Sequence, residues 1–341
     1  MQVKAQASAT FVTLADARYF PGTVALVNSL RLAGNPEPIV VVDTGLTEGQ
    51  RELLLTTCEI QSLPLDRDGS LTSFLKPAIR VLGLTGTVVF LDSDMIITDR
   101  LDQLLDEAAT GQVCAFVDGL PQRRFDEWVS VLGLERAPRD QAYVNAGCLA
   151  LRTDLWDDLL RRWWELCDRV RAKRSALPHD IPEAEAAVHP FAYQDQDVLN
   201  ALLMTEVPEE RISFLDPGRT ATPTDNRTTR IEDRAQLRCT KDGRTTVLLH
   251  YWDHPKPWFP GARPELHFDA YVELMARLLT LGDVPVQLRG RDLPVWLRET
   301  PRGRLVRRGP IVARQMARSG ISHLPGPLRR RIRQLRARAA K

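Results

Sequence analysis

The sequence predicts an α/β fold built on a mainly parallel sheet. Short apolar or β-branched runs recur along the chain, helix-like stretches separate several of them, and each run ends on polar residues. Strands that alternate with helices favour a parallel sheet with helices packed over it.

Taken in order, Phe11–Leu14 ends on Ala15-Asp16 and is followed by the helical stretch Gly22–Leu32. Ile39–Val42 ends on Asp43 and leads to Glu48–Thr56. Val88–Leu91 runs into Asp92-Ser93-Asp94, with Leu101–Ala109 helical after it. Cys114–Val117 ends on Asp118, and Gly147–Leu151 precedes the long helical stretch Asp154–Arg174. Gln196–Leu203 is a further helix, and Val247–Leu249 ends on His250. Ligands of open α/β sheets gather at the carboxyl ends of the strands. Here those ends carry acids and a histidine, which is the pattern of a site.

The stretch Glu206–Arg244 is polar and rich in Thr, Arg, Asp and Pro, and reads as a long, mostly irregular insertion. The core is expected to close near Leu281. That gives a single domain over residues 8–281, with 206–244 inserted in it, and a tail over 286–341.

A length of 341 residues with 43% hydrophobic and 26% charged residues is ordinary for a core-forming protein. The net charge of +2 hides an asymmetry. Residues 286–341 hold 16 Lys and Arg against two acids, Asp292 and Glu299, whereas the rest of the chain has 30 basic and 42 acidic residues. An acidic body with a basic tail suggests a polyanionic partner for the tail alone. Within the tail, Leu328, Ile332 and Leu335 share one helical edge among arginines, which suits an anionic membrane surface. A body that repels phosphate backbones speaks against nucleic acid.

The five cysteines are scattered without a Cys-x-x-Cys pair, so neither a zinc module nor a disulfide framework is expected. They read as reduced thiols of a cytoplasmic protein. Met1–Thr10 has no apolar core of a signal peptide, and no stretch approaches the roughly 18 apolar residues that span a bilayer. The expectation is a soluble protein, or one peripheral on the inner face of a membrane.

The sharpest chemical signal is Val88-Val89-Phe90-Leu91-Asp92-Ser93-Asp94-Met95-Ile96-Ile97. Carboxylates two apart in extended chain project to one side and can grip one divalent cation. Oxygen ligands joined by an imidazole suit Mn2+ or Mg2+. The second signal is His250-Tyr251-Trp252-Asp253-His254-Pro255-Lys256-Pro257-Trp258. A strand-end histidine supplies a neutral nitrogen to a metal, and Lys256 a point charge to a phosphate. Trp156, Trp163 and Trp164 on a helical stretch read as core. His179, His189 and His267 have no ligand partners at recognisable spacing. Asn226-Arg227-Thr228 is a formal glycosylation sequon.

Together these motifs resemble those of family 8 of the retaining glycosyltransferases, the group with bacterial lipopolysaccharide galactosyl- and glucosyltransferases and, more distantly, glycogenin. The matching elements are Ala15-Asp16-Ala17-Arg18-Tyr19, Asp92-Ser93-Asp94, Asn145-Ala146-Gly147, Asp195-Gln196-Asp197 and His250 to Trp258. Their order and spacing agree over roughly residues 10 to 275.

The resemblance implies a GT-A fold, a Rossmann-like mixed sheet flanked by helices, with one catalytic domain. It also implies a UDP-hexose donor, Mn2+ (or Mg2+), a glycan, glycolipid or protein acceptor, and retention of the anomeric configuration. Carried over, Asp16 meets the uridine, Tyr19 stacks on uracil, and Asp92, Asp94 and His250 hold the metal, with Ser93 between the two acids. Lys76 and Lys256 meet the donor, Asn145 and Asp195 hold sugar hydroxyls, and Gln196 lies near the anomeric carbon. Asp118 is a further candidate for a sugar hydroxyl. Asp253 stands where the family has glycine, and Arg18 where it has a small or amide residue. A helix start with acids near its positive end is the plain alternative for Asp197, and a helix-surface lysine the alternative for Lys76. The rival functions are a sugar-nucleotide nucleotidyltransferase, which also uses paired aspartates, and a basic-tailed nucleic-acid-binding protein.

Overall fold

The apolar runs of the sequence pair into one seven-stranded sheet. In this computed structural model, which describes residues 9–63, 72–119, 123–175, 183–225, 228–262 and 270–307, the early strands are β1 (Ala9–Asp16), β2 (Ile39–Gly45), β3 (Glu59–Ser62) and β4 (Thr87–Leu91). They are followed by β5 (Met95–Ile97), β6 (Val113–Val117), β7 (Val144–Arg152) and β8 (Ile212–Leu215). The sheet order is β3-β2-β1-β4-β7-β6-β8. Every neighbouring pair is parallel except those of β7, which runs antiparallel to both β4 and β6. The sheet is therefore mixed, as the resemblance implies.

Alternate residues of the central strands feed two separate cores. Phe11, Val41, Val89 and Leu91 join one apolar cluster, and Val12, Val42, Val88 and Phe90 the other. A sheet buried on both faces needs apolar residues at consecutive positions, so these strands read as unbroken runs. The helices are α1 (Phe20–Leu32), α2 (Glu48–Leu54), α3 (Asp102–Ala109), α4 (Glu127–Leu132), α5 (Thr153–Ser175), α6 (Glu183–Val188), α7 (Asp195–Thr205) and α8 (Ala270–Thr280). Val24 of α1, Leu104 of α3 and Leu274 of α8 pack on the first face, and Leu160 and Trp163 of α5 with Val198 and Leu202 of α7 on the second. Trp163 is buried, and its indole N–H donates to the Asp195 carbonyl at 3.0 Å. The core reading of that tryptophan holds, and through it α5 fixes the start of α7.

The 206–244 stretch carries short strands within its irregular course. It supplies β8 at the edge of the main sheet, the short β9 (Thr220–Ala221), and the antiparallel strands β10 (Thr229–Asp233), β11 (Arg238–Lys241) and β12 (Arg244–Thr246). These strands are short and carry exposed charges such as Arg230 and Glu232, so no alternation marks them in the sequence. After them β13 (Leu248–His250) pairs antiparallel with β5, setting His250 opposite Met95. That pairing delivers the histidine to the Asp92–Asp94 turn.

The core also does not close at Leu281. Asn28 of α1 is fully buried; its amide donates to the carbonyls of Leu278 (2.8 Å) and Val286 (2.7 Å) and accepts from the Val286 N–H (2.9 Å). Val286, Leu288, Leu293 and Leu297 belong to the first core cluster. Arg307, counted with the basic tail, is 1% exposed and lies 2.9 Å from Glu273, with Glu299 also bonded to it. A charge count cannot tell an arginine in an ion pair from one in solvent, which is why the boundary falls some 25 residues later than the sequence places it. Residues 308–341, with the Leu328–Leu335 edge, lie outside the described residues, as do His179 and His267.

A chain ending at Arg307 is expected to match the full chain in urea unfolding. One ending at Leu281 exposes the sites of four buried aliphatic side chains, at about 1.5–3 kcal/mol each. That loss is on the order of a whole domain's stability, about 5–15 kcal/mol. Equal cooperative transitions for both truncations would refute the assignment of 286–307 to the core.

Candidate active site

Three elements converge at the carboxyl end of β4. The Asp92-Ser93-Asp94 turn joins β4 to β5, β13 brings His250, and the start of α7 brings Asp195 and Gln196. The turn is fixed by the Asp92 N–H, which donates to the Gly147 carbonyl at 2.7 Å, and by the Tyr251 N–H, which donates to the Asp94 carbonyl at 3.0 Å. Ser93 is buried, and α1 sits against its backbone: a Cβ on Gly22 would lie 2.4 Å from the Ser93 carbonyl oxygen.

One ligand atom from each of Asp92, Asp94 and His250 lies within 4.8 Å of the others. His250 Nε2 is 3.2 Å from Asp94 Oδ1 and 3.9 Å from Asp92 Oδ2. Asp94 Oδ2 is taken by Lys256 Nζ at 2.7 Å, whereas the buried Oδ1 faces the His250 imidazole. Burial acts to raise the Asp94 carboxyl, but Lys256 and His250 outweigh it and hold the group well below the usual carboxylate range. A charged oxygen beside an imidazole and a second carboxylate fits a divalent cation. Gly147 leaves the room, since a Cβ there would stand 2.6 Å from Asp92 Oδ2 and 2.9 Å from His250 Cε1.

The two lysines are not surface groups. Lys76, on a 3₁₀ segment over 72–82, is 7% exposed and bridges Asp92 at 3.1 Å and Asp195 at 3.3 Å. Burial alone would lower the Lys76 ammonium, but the charges of Asp195 and Asp92 prevail and raise it. One cation shared by two carboxylates leaves one of them hard to ionise. Burial, assisted by Asp92 and opposed by Lys76, pushes Asp195 up to about 7. Lys256 is 2% exposed and donates both to Asp94 and to the Tyr251 carbonyl, each at 2.7 Å. An ammonium has three donors, so one remains for a ligand.

Asp118 organises the amides of the site. Its Oδ2 accepts from Asn145 Nδ2 at 3.0 Å and from Gln196 Nε2 at 3.1 Å. Asn145 Oδ1 accepts from the Gly147 N–H and Gln196 Oε1 from the Ala146 N–H, at 2.8 Å and 3.0 Å. Both amides are thus oriented at both ends. Just before them, Gln194 adopts φ 57°, a left-handed conformation that costs a non-glycine residue about 1–3 kcal/mol. Ser73 bonds its side chain, and the turn it makes starts α7 where Asp195 and Gln196 reach the crevice.

Asp16 and Tyr19 sit at the end of β1. Asp16 Oδ1 accepts from the N–H groups of Arg18 and Tyr19, both at 2.8 Å, so its second oxygen is left for a ligand. Tyr19 is half-buried, edge-on to Trp258 and Phe259 with centroids 6.0 and 5.5 Å away. Burial, with the nearby charges of Asp94 and Asp92, pushes its phenol well up.

Sequence reasoning needs two corrections here. The surface alternative for Lys76 fails, because the segment packs against α5 and the acids draw the ammonium in. Asp197 is more than an acid at a helix start: it is fully buried and accepts from Nε and Nη2 of Arg123, at 2.6 and 3.0 Å, while the Tyr143 hydroxyl donates to it at 2.8 Å. Gly147 and Gln194 were not singled out as site residues. The Asn-Ala-Gly motif held the signal for the first, and a conformation alone, invisible in sequence, marks the second.

Replacing Gly147 with Ala should weaken divalent-cation binding at this cluster at least tenfold with an unchanged circular dichroism spectrum, because the new methyl meets two of the three side chains. Calorimetric Mn2+ titration checks this, and wild-type affinity in Gly147→Ala would refute the crowding argument.

The model of glycosyl transferase family 8 matches residues 11–261, a span that contains every residue of the crevice described above. No curated protein sequence matches the chain. Among solved structures, the galactosyltransferase LgtC in complex with donor and acceptor sugar analogues is similar, with TM-score 0.53 and 19% identity over 80% of this chain and 98% of LgtC. The bifunctional glycosyltransferase WbbM gives TM-score 0.53 at 16% identity, over 84% of this chain and 51% of WbbM. These likenesses are of fold, and the fold is GT-A. Family membership also removes the nucleotidyltransferase reading. With most of its length matched and its motif residues gathered at one crevice, the chain belongs to glycosyl transferase family 8 and is a glycosyltransferase.

Proposed function

We propose that this glycosyltransferase moves a hexose from a UDP-sugar to a hydroxyl of a glycan, glycolipid or protein, with retention of configuration and with Mn2+ or Mg2+ held by Asp92, Asp94 and His250. The observation that carries the reading is the gathering of Asp92, Asp94 and His250 ligand atoms within 4.8 Å of one another, with the buried Asp94 Oδ1 facing His250. That LgtC has been solved with donor and acceptor sugar analogues supports a sugar donor here.

When bound, the cation would neutralise charge on the departing diphosphate. The remaining roles fall to the chain. The free oxygen of Asp16 and the accessible part of the Tyr19 ring would take the uridine. Lys256 and Lys76 would hold the diphosphate and the donor against the crevice, as charge placed in advance of reaction. Asn145 and Asp195 would fix the hexose through its hydroxyls.

Among the described residues of the crevice, no side chain is suited to act as a nucleophile. Gln196 is an amide bonded at both ends, and Asp195 shares Lys76 and is raised to about 7. The acceptor oxygen would therefore attack the anomeric carbon from the leaving-group side. As the bond from that carbon to the phosphate oxygen breaks, the acceptor's proton passes to the phosphate oxygen. Gln196 would support positive charge at the anomeric carbon. In this proposal the Arg-rich residues 308–341 would attach the enzyme to an anionic membrane on its cytoplasmic side.

A screen of UDP-hexoses with Mn2+, read as UDP release, tests the function. Asp94→Asn should lower turnover by about 10³-fold, the worth of several kcal/mol of charge stabilisation, with the fold intact. Full turnover in excess chelator would overturn the metal assignment, and a β-linked product from an α donor, read by NMR coupling, would overturn retention.

A further inference from the structure

The segment 286–307 reaches the loop that carries Lys256. Trp296 lies in the 3₁₀ turn Val295–Leu297, and its indole N–H donates to the Pro257 carbonyl at 3.0 Å. One residue earlier, Lys256 stands 2.7 Å from Asp94 Oδ2. The other side of the loop is held by Trp258, whose indole N–H donates to the Arg18 carbonyl at 2.8 Å. The loop is therefore held between two indole hydrogen bonds, one to the β1–α1 connection and one from the C-terminal segment.

Loop composition leaves room for outside support. Residues 255, 257 and 260 are prolines and have no N–H to give, so the loop has few backbone donors with which to brace itself. Trp296 can brace it because its own backbone is fixed. Its carbonyl accepts from Arg307 Nη1 at 2.6 Å, and Arg307 is bound to Glu273 of α8 and to Glu299. Arg234 reaches Glu299 from the other side at 2.7 Å, and the Glu299 N–H donates to Thr280 Oγ1 at 3.2 Å. Gly303 lets the helical stretch 301–307 lie on this turn, since a Cβ there would stand 2.1 Å from the Arg298 carbonyl oxygen.

We propose that Trp296 is a positioning residue for the transfer reaction: its bond to Pro257 sets Lys256 against one oxygen of Asp94 and leaves the other facing His250. The consequence for donor binding rests on the UDP-sugar reading above. The placement of the loop does not.

Trp296→Phe in the full chain keeps a ring and removes only the N–H. Amide hydrogen exchange over residues 251–262 should quicken about fivefold, the factor that corresponds to one hydrogen bond of about 1 kcal/mol. Exchange in β1, β4 and β7 should stay as in the wild type. The dissociation constant of UDP with Mn2+, by calorimetry, should rise by a similar factor, and the donor KM should change more than kcat. A purely structural role would lower the melting temperature and leave the loop's exchange and UDP affinity unchanged, and that result overturns the proposal. Absence of UDP binding by the wild type would overturn the donor reading instead, while the exchange measurement still decides whether Trp296 sets the loop.

Discussion

Two ammonium groups set among three carboxylates form the constraint on which the crevice depends. Lys76 lies between Asp92 and Asp195, and Lys256 against Asp94, all with little exposure except Asp92. Groups buried in this way are costly unless paired, and removing one partner strands another. The pairs also do not balance. Three carboxylates face two ammonium groups, Asp195 is pushed up to about 7, and Asp94 Oδ1 faces His250 rather than an ammonium. The arrangement thus holds its own shape while leaving a place for one more positive charge.

The surrounding elements serve that cluster. The β5–β13 pairing fixes the height of His250, Trp163 on α5 ties down the carbonyl of Asp195, and the buried Arg123–Asp197 pair steadies the first turn of α7. Asp118 then aligns Asn145 and Gln196 from a neighbouring strand end. None of these supports has to touch a substrate. Each fixes a direction in which a group that would touch one can point.

What the sequence revealed follows from where each residue sits. The central strands are buried on both faces, so Val88–Leu91 and Ile39–Val42 stand out as unbroken apolar runs, and the acids at their ends were legible as a site. β10 to β12 carry charges on an exposed side and do not stand out. Lys76 precedes Pro77 on a 3₁₀ segment, which looks in sequence like an exposed helix; only its distant partners, 16 and 119 residues on, make it a buried ion pair. Arg307 was hidden for the same reason. A cation's partner, not its type, decides whether it is surface or core.

The bonds of Asn28 bear on how the chain is made. This side chain, in the first helix, takes all its partners from residues 278 and 286. A buried amide left without them is costly. During synthesis, chains emerge at about 5–20 residues per second, so α1 waits many seconds before its last contacts exist. Until then the amino-terminal strands can form a sheet, but the face of α1 that receives α8 is bare. The fold is therefore completed when residues 278–286 pack back onto α1.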